Sequence, residues 1–477
     1  MLPKHSNFYA QWRKRQQTSE LREEGAAPPE RLLQLIWHHQ RLTREKLMTL
    51  EGKRVQILHP GFWNREAGPD FSGAIVQFDG EVPRSGDIEI DLESAGWRGH
   101  NHDQNPNYRN VVLHVVWAGE IPGPLPTLLM KPFLDAPLSE LSAWLASDAA
   151  KSYPPALAGQ CCGPLRNLAA PKLTDLLQQA ALVRLHAKGS LFQARSRQVG
   201  WEQSLWEGLF RALGYKKNVW PMQRLAELRE RFAPAQSQLA LLQCQARVLG
   251  LSGLLPSELT RQEAATDRYL RQIWDCWWRD RAELQEVILP KGMWRFDALR
   301  PANHPQRRLA LAAHWLSSHG LIARIEQWAI SQQKPAAALE SLTKIFSAPP
   351  DAYWYFHWTL RSKKLSTSQP LIGPSRVTDL AVNVVLPWLW IRAGDGHNIQ
   401  LQAQLEDRYL HWPKGEDNTI LRLARQRLLG AHAAFKMDSA ALQQGLIQIV
   451  RDFCEHSNAL CANCEFPELV RQWGDLA

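Results

Sequence analysis

HPGFWNREAGPDFSGAIVQFDG at residues 59–80, followed by SGDIEIDLESAGWRGHNHDQNPNYRNVVLHVVW at 85–117, is where the chain changes period and where its chemistry concentrates. Just before it, Arg54–His59 (RVQILH) alternates. Gly73–Phe78 (GAIVQF) is a short apolar run, Asp87–Leu92 (DIEIDL) alternates strictly, and Val111–Trp117 (VVLHVVW) reads as a buried strand. A further short strand is expected near Thr127–Met130. Upstream, residues 29–50 carry Leu32, Leu35, Ile36, Leu42 and Leu47 at helical spacing behind a first-turn Pro29. The predicted order is helix, three strands, an irregular turn and a fourth strand.

Residues 119–165 are rich in Pro and Gly, so a boundary falls there, with a helix near Ser139–Leu145. From Pro171 onward the pattern is helical, with helices expected over 171–198, 201–213, 221–231, 235–250, 258–283, 305–331, 335–345, 379–392, 418–436 and 439–454. The expected organisation is therefore an α/β domain over 1–130, a connector over 131–170, and an all-helical region over 171–477 with room for two subdomains. Residues 1–28, with the basic cluster Arg13, Lys14, Arg15, read as a flexible arm or surface segment.

A formal net charge of +9 and a pI near 9.2 fit an anionic partner such as nucleic acid. The 21 Trp residues read either as core filling or as base-stacking platforms. The N-terminus shows no apolar signal-peptide core. The longest apolar run, Leu380–Ile391, contains Asn383 and Pro387 and is too short to span a bilayer, so no membrane partner is expected. Seven cysteines in 477 residues do not make a disulfide framework, which points to the cytoplasm.

The chemistry starts from spacing. Asp70 lies just before one strand. Glu89 and Asp91 are two apart on the next, so they share a face with Asp87. If the two strands pair, Asp70 and Glu89 converge, and close carboxylates repel unless a cation sits between them. Oxygen donors of this kind suit Mg²⁺ or Mn²⁺. His100, His102 and His114 are candidate proton acceptors beside them. The same histidines also read as turn-capping or core residues. Asn64, in the loop before Asp70, is a candidate substrate contact or an ordinary connector residue.

This pattern resembles the PD-(D/E)XK nuclease superfamily, in which a helix precedes three strands, an Asp opens the second, and a (D/E)-x-K triplet lies on the third. Pro69-Asp70 matches the first element, and Glu89-Ile90-Asp91 matches the second except that Asp91 stands in the Lys position. The resemblance covers roughly residues 29–118. It implies a restriction-endonuclease-like α+β domain, a mixed sheet with flanking helices, followed here by a large all-α region. It also implies Asp70 and Glu89 as Mg²⁺ ligands, with Asp91 assisting. The whole chain further resembles a bacterial family known as domain of unknown function 2851, through LQLIW (33–37), residues 57–74 and 86–117, LRPANHP (299–305), YWYFHW (353–358) and a terminal cysteine cluster. The third-strand triplet in that family is commonly Glu-x-His, from which Asp91 also departs.

Two other features carry chemistry. Cys454, Cys461 and Cys464 form C-x6-C-x2-C, with His456, Cys161 or Cys162 available as a fourth ligand for Zn²⁺. The nuclease resemblance adds an iron–sulfur cluster as a second occupant, and plain thiols are the alternative. Arg184, Lys188 and Arg195 fall on one face of the 171–198 helix and read as a phosphate-tracking stripe or a solvated face. Arg307 and Arg308 form a second basic spot. The expected function is a metal-dependent nuclease, or a degenerate nuclease-like module, acting on nucleic acid. The alternative is a non-catalytic scaffold binding nucleic acid or protein.

Overall fold

The computed structural model describes residues 7–13, 28–64, 68–99, 102–103, 105–119, 124–145, 159–233, 240–259, 268–297, 299–318, 320–417, 419–430, 435–454, 461 and 464–475. Helix α1 spans Glu30–His38 and buries Leu32, Leu33, Leu35, Ile36 and Trp37. It is shorter than its apolar pattern suggests. Gln40 takes φ 48°, and its N–H donates back to Trp37 O, a left-handed stop that ends the helix. Beyond it lies only a 3₁₀ turn, Arg44–Lys46.

Six strands follow: β1 (Val55–His59), β2 (Phe62–Trp63), β3 (Phe71–Phe78), β4 (Arg84–Glu93), β5 (Val111–Ala118) and β6 (Thr127–Leu129). Their order is β1-β3-β4-β5-β6, with the short β2 also on β3. β3 is antiparallel to β1 and to β4. β5 runs parallel to β4, and β6 runs parallel to β5. The sheet is therefore mixed. The parallel step from β4 to β5 requires a crossover, made by residues 94–110 with the single turn Gly96–Gly99 and the 3₁₀ turn Pro106–Tyr108.

The period-two rule separates the two faces. Ile88 and Ile90 of β4, Leu113 and Val115 of β5, and Ala74 and Val76 of β3 join Leu33, Ile36 and Trp37 of α1 in one core. Burying that apolar surface is the main stabilisation of the sheet. Glu89 and Asp91 are thereby sent to the opposite face. Trp37 Nε1 also donates to Pro60 O (2.8 Å), which fastens α1 to the end of β1.

The chain divides into two compact units, Met1–Ala194 with Glu416–Ala477, and Arg195–Gly415. In the first, a second core gathers Leu173, Leu176 and Leu177 with Leu428, Leu446, Val470 and Trp473. Residues 8–13, expected within a flexible arm or surface segment, are a helical turn set into this core. Tyr9 and Trp12 are buried, Tyr9 Oη donates to Asp452 Oδ2 (2.8 Å), and Arg13 pairs with the same carboxylate.

The second unit is helical. The expected 201–213 helix is Trp201–Leu213. The stretch expected as one helix over 305–331 is two, Pro305–Ser317 and Leu321–Ile330, parted by Gly320 at φ 70°. Within 379–392, a π-turn at Ala381–Val385 precedes Leu386–Asp395, because Pro387 has no N–H to continue the α ladder. Helix Ile399–Leu410, capped by Asn398 Oδ1 accepting from Leu401 N–H (3.0 Å), was not expected from the sequence. The basic spot at 307–308 is internal. Arg307, 1% exposed, donates to the carbonyls of Trp354, His357, Gln369 and Pro370, and Arg308 donates to Leu371 O. Trp354, Trp388 and Trp412 are likewise core. Among the described residues no helix is long and apolar enough to cross a membrane.

Candidate metal centre

Phe71 pairs with Ile88 in the β3–β4 register, which places Asp70 beside Glu89. The backbone ties them together. Asp70 N–H donates to Glu89 Oε2 (3.1 Å), and Ile90 N–H donates to Asp70 Oδ2 (3.1 Å). From α1, Gln34 Nε2 donates both to Asp70 Oδ1 (2.8 Å) and to Glu30 Oε1 (2.9 Å). Asp70 is half-buried. Glu89 and Asp91 are 7% and 3% exposed. Asp87, the third acid of the alternating run, instead accepts from Gly73 N–H (3.0 Å).

The crossover brings the imidazoles. His102 Nε2 lies 3.3 Å from Glu89 Oε1, and its ring stacks on Tyr108 (centroids 3.9 Å) with Trp97 at its edge. His114 is level with Glu89 on β5, and its Nε2 is 2.9 Å from Asp91 Oδ2. Gly96 touches the Asp91 carboxylate so closely that a Cβ there would come 2.8 Å from Asp91 Cγ. A side chain at that position would force the Asp91 carboxylate to shift. Donor atoms of Glu89, Asp91 and His102 all lie within 4.8 Å of one another.

The electrostatics are those of crowded acids. Burial, then the Glu30 charge, pushes the Asp70 carboxyl up to about 7. Burial, then Asp70, pushes Glu89 up to about 9. Burial and Glu89 together push the Tyr108 phenol up to about 12. At neutral pH this cluster retains protons that free carboxylates would release. A divalent cation can take their place, as oxygen and imidazole donors of this kind allow.

Of the residues singled out from the sequence, Asp70, Glu89, Asp91, His102 and His114 come together. The mutually closest donors are Glu89, Asp91 and His102, while both Asp70 oxygens already accept hydrogen bonds. His100 lies outside the described residues. Asn64 turns inward on its own loop, donating to Pro69 O (2.9 Å). The basic stripe is not a row of solvent-facing charges. Arg184 is 7% exposed and donates to Gln444 Oε1 (2.5 Å), because its helix face packs inward there. Lys188, in the same helix, is half-buried. Arg195 pairs with Glu207 (2.8 Å). Glu30, Gln34, Tyr108 and Gly96 were missed. The Glu30–Gln34 spacing of four on a helix was a readable signal, whereas nothing local marks Tyr108 or Gly96.

The chain belongs to the family described as protein of unknown function (DUF2851), whose model matches residues 30–418. No curated protein and no solved structure matches the chain.

Proposed function

We propose that this protein is a divalent-cation-dependent phosphodiesterase acting on nucleic acid. The observation that carries the reading is the close set of donors from Glu89 and Asp91 of β4 and from His102 of the crossover, with Asp70 beside them just before β3. Glu89, Asp91 and His102 would hold Mg²⁺ or Mn²⁺, with Asp70 adjoining. Held there, such an ion would supply Lewis-acid polarisation of a phosphodiester and activation of water.

The chain's own groups set this up. Gln34 and Ile90 N–H orient Asp70. His114 holds Asp91 from the neighbouring strand, and Gly96 leaves it room. Tyr108 and Trp97 keep the His102 ring in place beside Glu89, where its nitrogen would serve as the third donor to the ion. The net charge of +9 supports an anionic partner. A cytoplasmic setting is supported by the sequence, whose seven cysteines in 477 residues do not make a disulfide framework. A second reading, a non-catalytic scaffold, is favoured by one observation: Glu89 and Asp91 are nearly closed off from solvent.

The test is hydrolysis of single- and double-stranded DNA and RNA with Mg²⁺ or Mn²⁺, against EDTA and against Asp70→Asn/Glu89→Gln. Cation-dependent cleavage lost in the double variant is expected. No cleavage of any of the four substrates refutes catalysis. Unchanged cation affinity in the folded double variant refutes the site.

A further inference from the structure

The second unit holds a cavity of about 290 Å³, near the lower end of the size range of small-molecule sites. Four separate stretches of chain wall it: 254–256, 291–296, 304–306 and 359–361. Two of them adjoin sequence that the carboxylate site leaves unused. LRPANHP (299–305) supplies His304, and YWYFHW (353–358) leads into Thr359. Hydrogen bonds fix the walls against one another. Leu289 N–H donates to Leu251 O (2.7 Å) and Trp294 Nε1 to Ser252 O (2.8 Å), which fastens the second wall along the first. Gln306 Nε2 donates to Leu254 O (3.0 Å), while its Oε1 accepts from Leu360 N–H (3.1 Å). One amide thus sets the spacing of the first and fourth walls. The cavity is therefore preformed, as ligand sites usually are.

Its lining holds three kinds of group. Leu254, Leu255 and Leu360 are apolar. Phe296 is 45% exposed and stacks on His304, with ring centroids 5.4 Å apart and planes 23° apart. Burial pushes the His304 imidazole down to about 4, so at neutral pH this aromatic wall carries no charge. His304 Nδ1 accepts from Gln306 N–H (3.3 Å), which leaves the ring proton on Nε2. The third kind is cationic: Lys291 and Arg361, both exposed. Asp297, the acid next to Phe296 in sequence, is paired with Lys217. His304 also caps helix Pro305–Ser317, whose N-terminal end adds partial positive charge.

A ligand that uses all of these groups has a planar ring for Phe296 and an anionic end for Lys291 and Arg361. Exposed aromatic rings stack on any nucleobase, and guanidinium and ammonium groups take phosphate. A bare phosphate leaves the aromatic wall unused, and a nucleoside leaves the cations unused. We propose that this cavity is a nucleoside monophosphate site, with the base on Phe296 and the phosphate at Lys291 and Arg361. It lies wholly within Arg195–Gly415, outside the unit that carries Asp70 and Glu89, and it stands whether or not the carboxylate site cleaves a phosphodiester.

The full chain in EDTA is titrated by calorimetry with AMP, GMP, CMP and UMP, and then with adenosine and inorganic phosphate. At least one monophosphate should bind, and more tightly than adenosine or phosphate. Phe296→Ala should weaken that binding about tenfold, the scale of one lost base stack. Lys291→Gln and Arg361→Gln should each weaken it about tenfold as well. All three side chains are exposed, so the variants should keep the wild-type circular dichroism. Asp70→Asn/Glu89→Gln should bind the monophosphate as the wild type does. No binding of any monophosphate at millimolar concentration overturns the proposal. So does an affinity that none of the three cavity variants changes, or phosphate alone binding as tightly as the monophosphate. Binding lost in Asp70→Asn/Glu89→Gln overturns it too, because the ligand would then sit at the carboxylates.

Discussion

Replacing Glu89 by Gln should stabilise the metal-free protein, and the gain should grow with pH. Burial and Asp70 raise the Glu89 carboxyl from 4.5 to about 9. Below 4.5 the folded and unfolded forms both carry the proton, and the contribution to stability is complete. Between there and pH 9 the unfolded chain releases a proton that the folded chain retains. The unfolded state then binds fewer protons, so stability falls as pH rises. Each tenfold difference in proton affinity between the two states corresponds to about 1.36 kcal/mol. That difference is shared with Asp70, and half of the full displacement gives about 3 kcal/mol at pH 9. The amide keeps an oxygen to accept from Asp70 N–H and has no proton to lose. For a folding unit of this size, a gain of about 3 kcal/mol raises Tm by roughly 6–12 °C. Thermal unfolding in EDTA from pH 5 to 9 should show the wild-type Tm falling and the variant Tm nearly level. Adding Mg²⁺ at pH 8 should then raise the wild-type Tm and leave the variant unmoved. A variant less stable than wild type at pH 9, or one with the same pH slope, refutes the crowded-acid account.

Three further outcomes follow from named contacts. His114→Ala leaves the buried Asp91 carboxylate without its imidazole and should lose about 3 kcal/mol in urea unfolding, with part recovered by His114→Gln; a loss below about 1 kcal/mol contradicts the pairing. Gly96→Ala places a methyl 2.8 Å from Asp91 Cγ, so Mg²⁺ affinity by calorimetry should fall about tenfold with the circular dichroism unchanged, and equal affinity removes Gly96 from the site. Arg184→Ala should lower stability by about 2 kcal/mol and leave the salt dependence of nucleic-acid binding as it was, since the guanidinium faces Gln444; a flattened salt slope would restore it as a phosphate contact.

How much of this was legible in the sequence depended on range. The strands declare themselves because alternation and β-branched residues are local properties. Val111–Trp117 matches β5 to within one residue, and Asp87–Leu92 lies inside β4. Glycines framed Trp201–Leu213 for the same reason. Helix Phe466–Asp475 went unread although Phe466, Val470 and Trp473 recur at helical spacing. The approach of Asp70 to Glu89 follows from antiparallel pairing of adjacent strands. Long-range closure has no such local trace. His102 reaches Glu89 only through the path of the whole 94–110 crossover, Gln34 reaches Asp70 from α1 across 36 positions, and Cys161 meets Cys454 from the far side of the second unit's sequence.

Asp91, which stands where the nuclease resemblance would put a lysine, ties these observations together. A lysine there would bring a fixed positive charge to the carboxylates. Asp91 brings a further carboxylate, so Asp70, Glu89 and Asp91 stand together with Glu30 close enough to act on both Asp70 and Glu89. Two imidazoles are placed against this excess, His114 on Asp91 and His102 on Glu89. Burial, with the neighbouring acids, still pushes the Asp70 and Glu89 carboxyls toward holding protons of their own. Under the proposed function a divalent ion would compete with each proton so held, and its binding would release that proton. Cation binding at this site must therefore strengthen as pH rises through 7 toward 9, opposite in sign to the stability of the metal-free fold. Calorimetric titration with Mg²⁺ in two buffers of different ionisation enthalpy at pH 7 measures that release directly, and a proton count of zero would mean the carboxylates are already ionised and the crowding is not real.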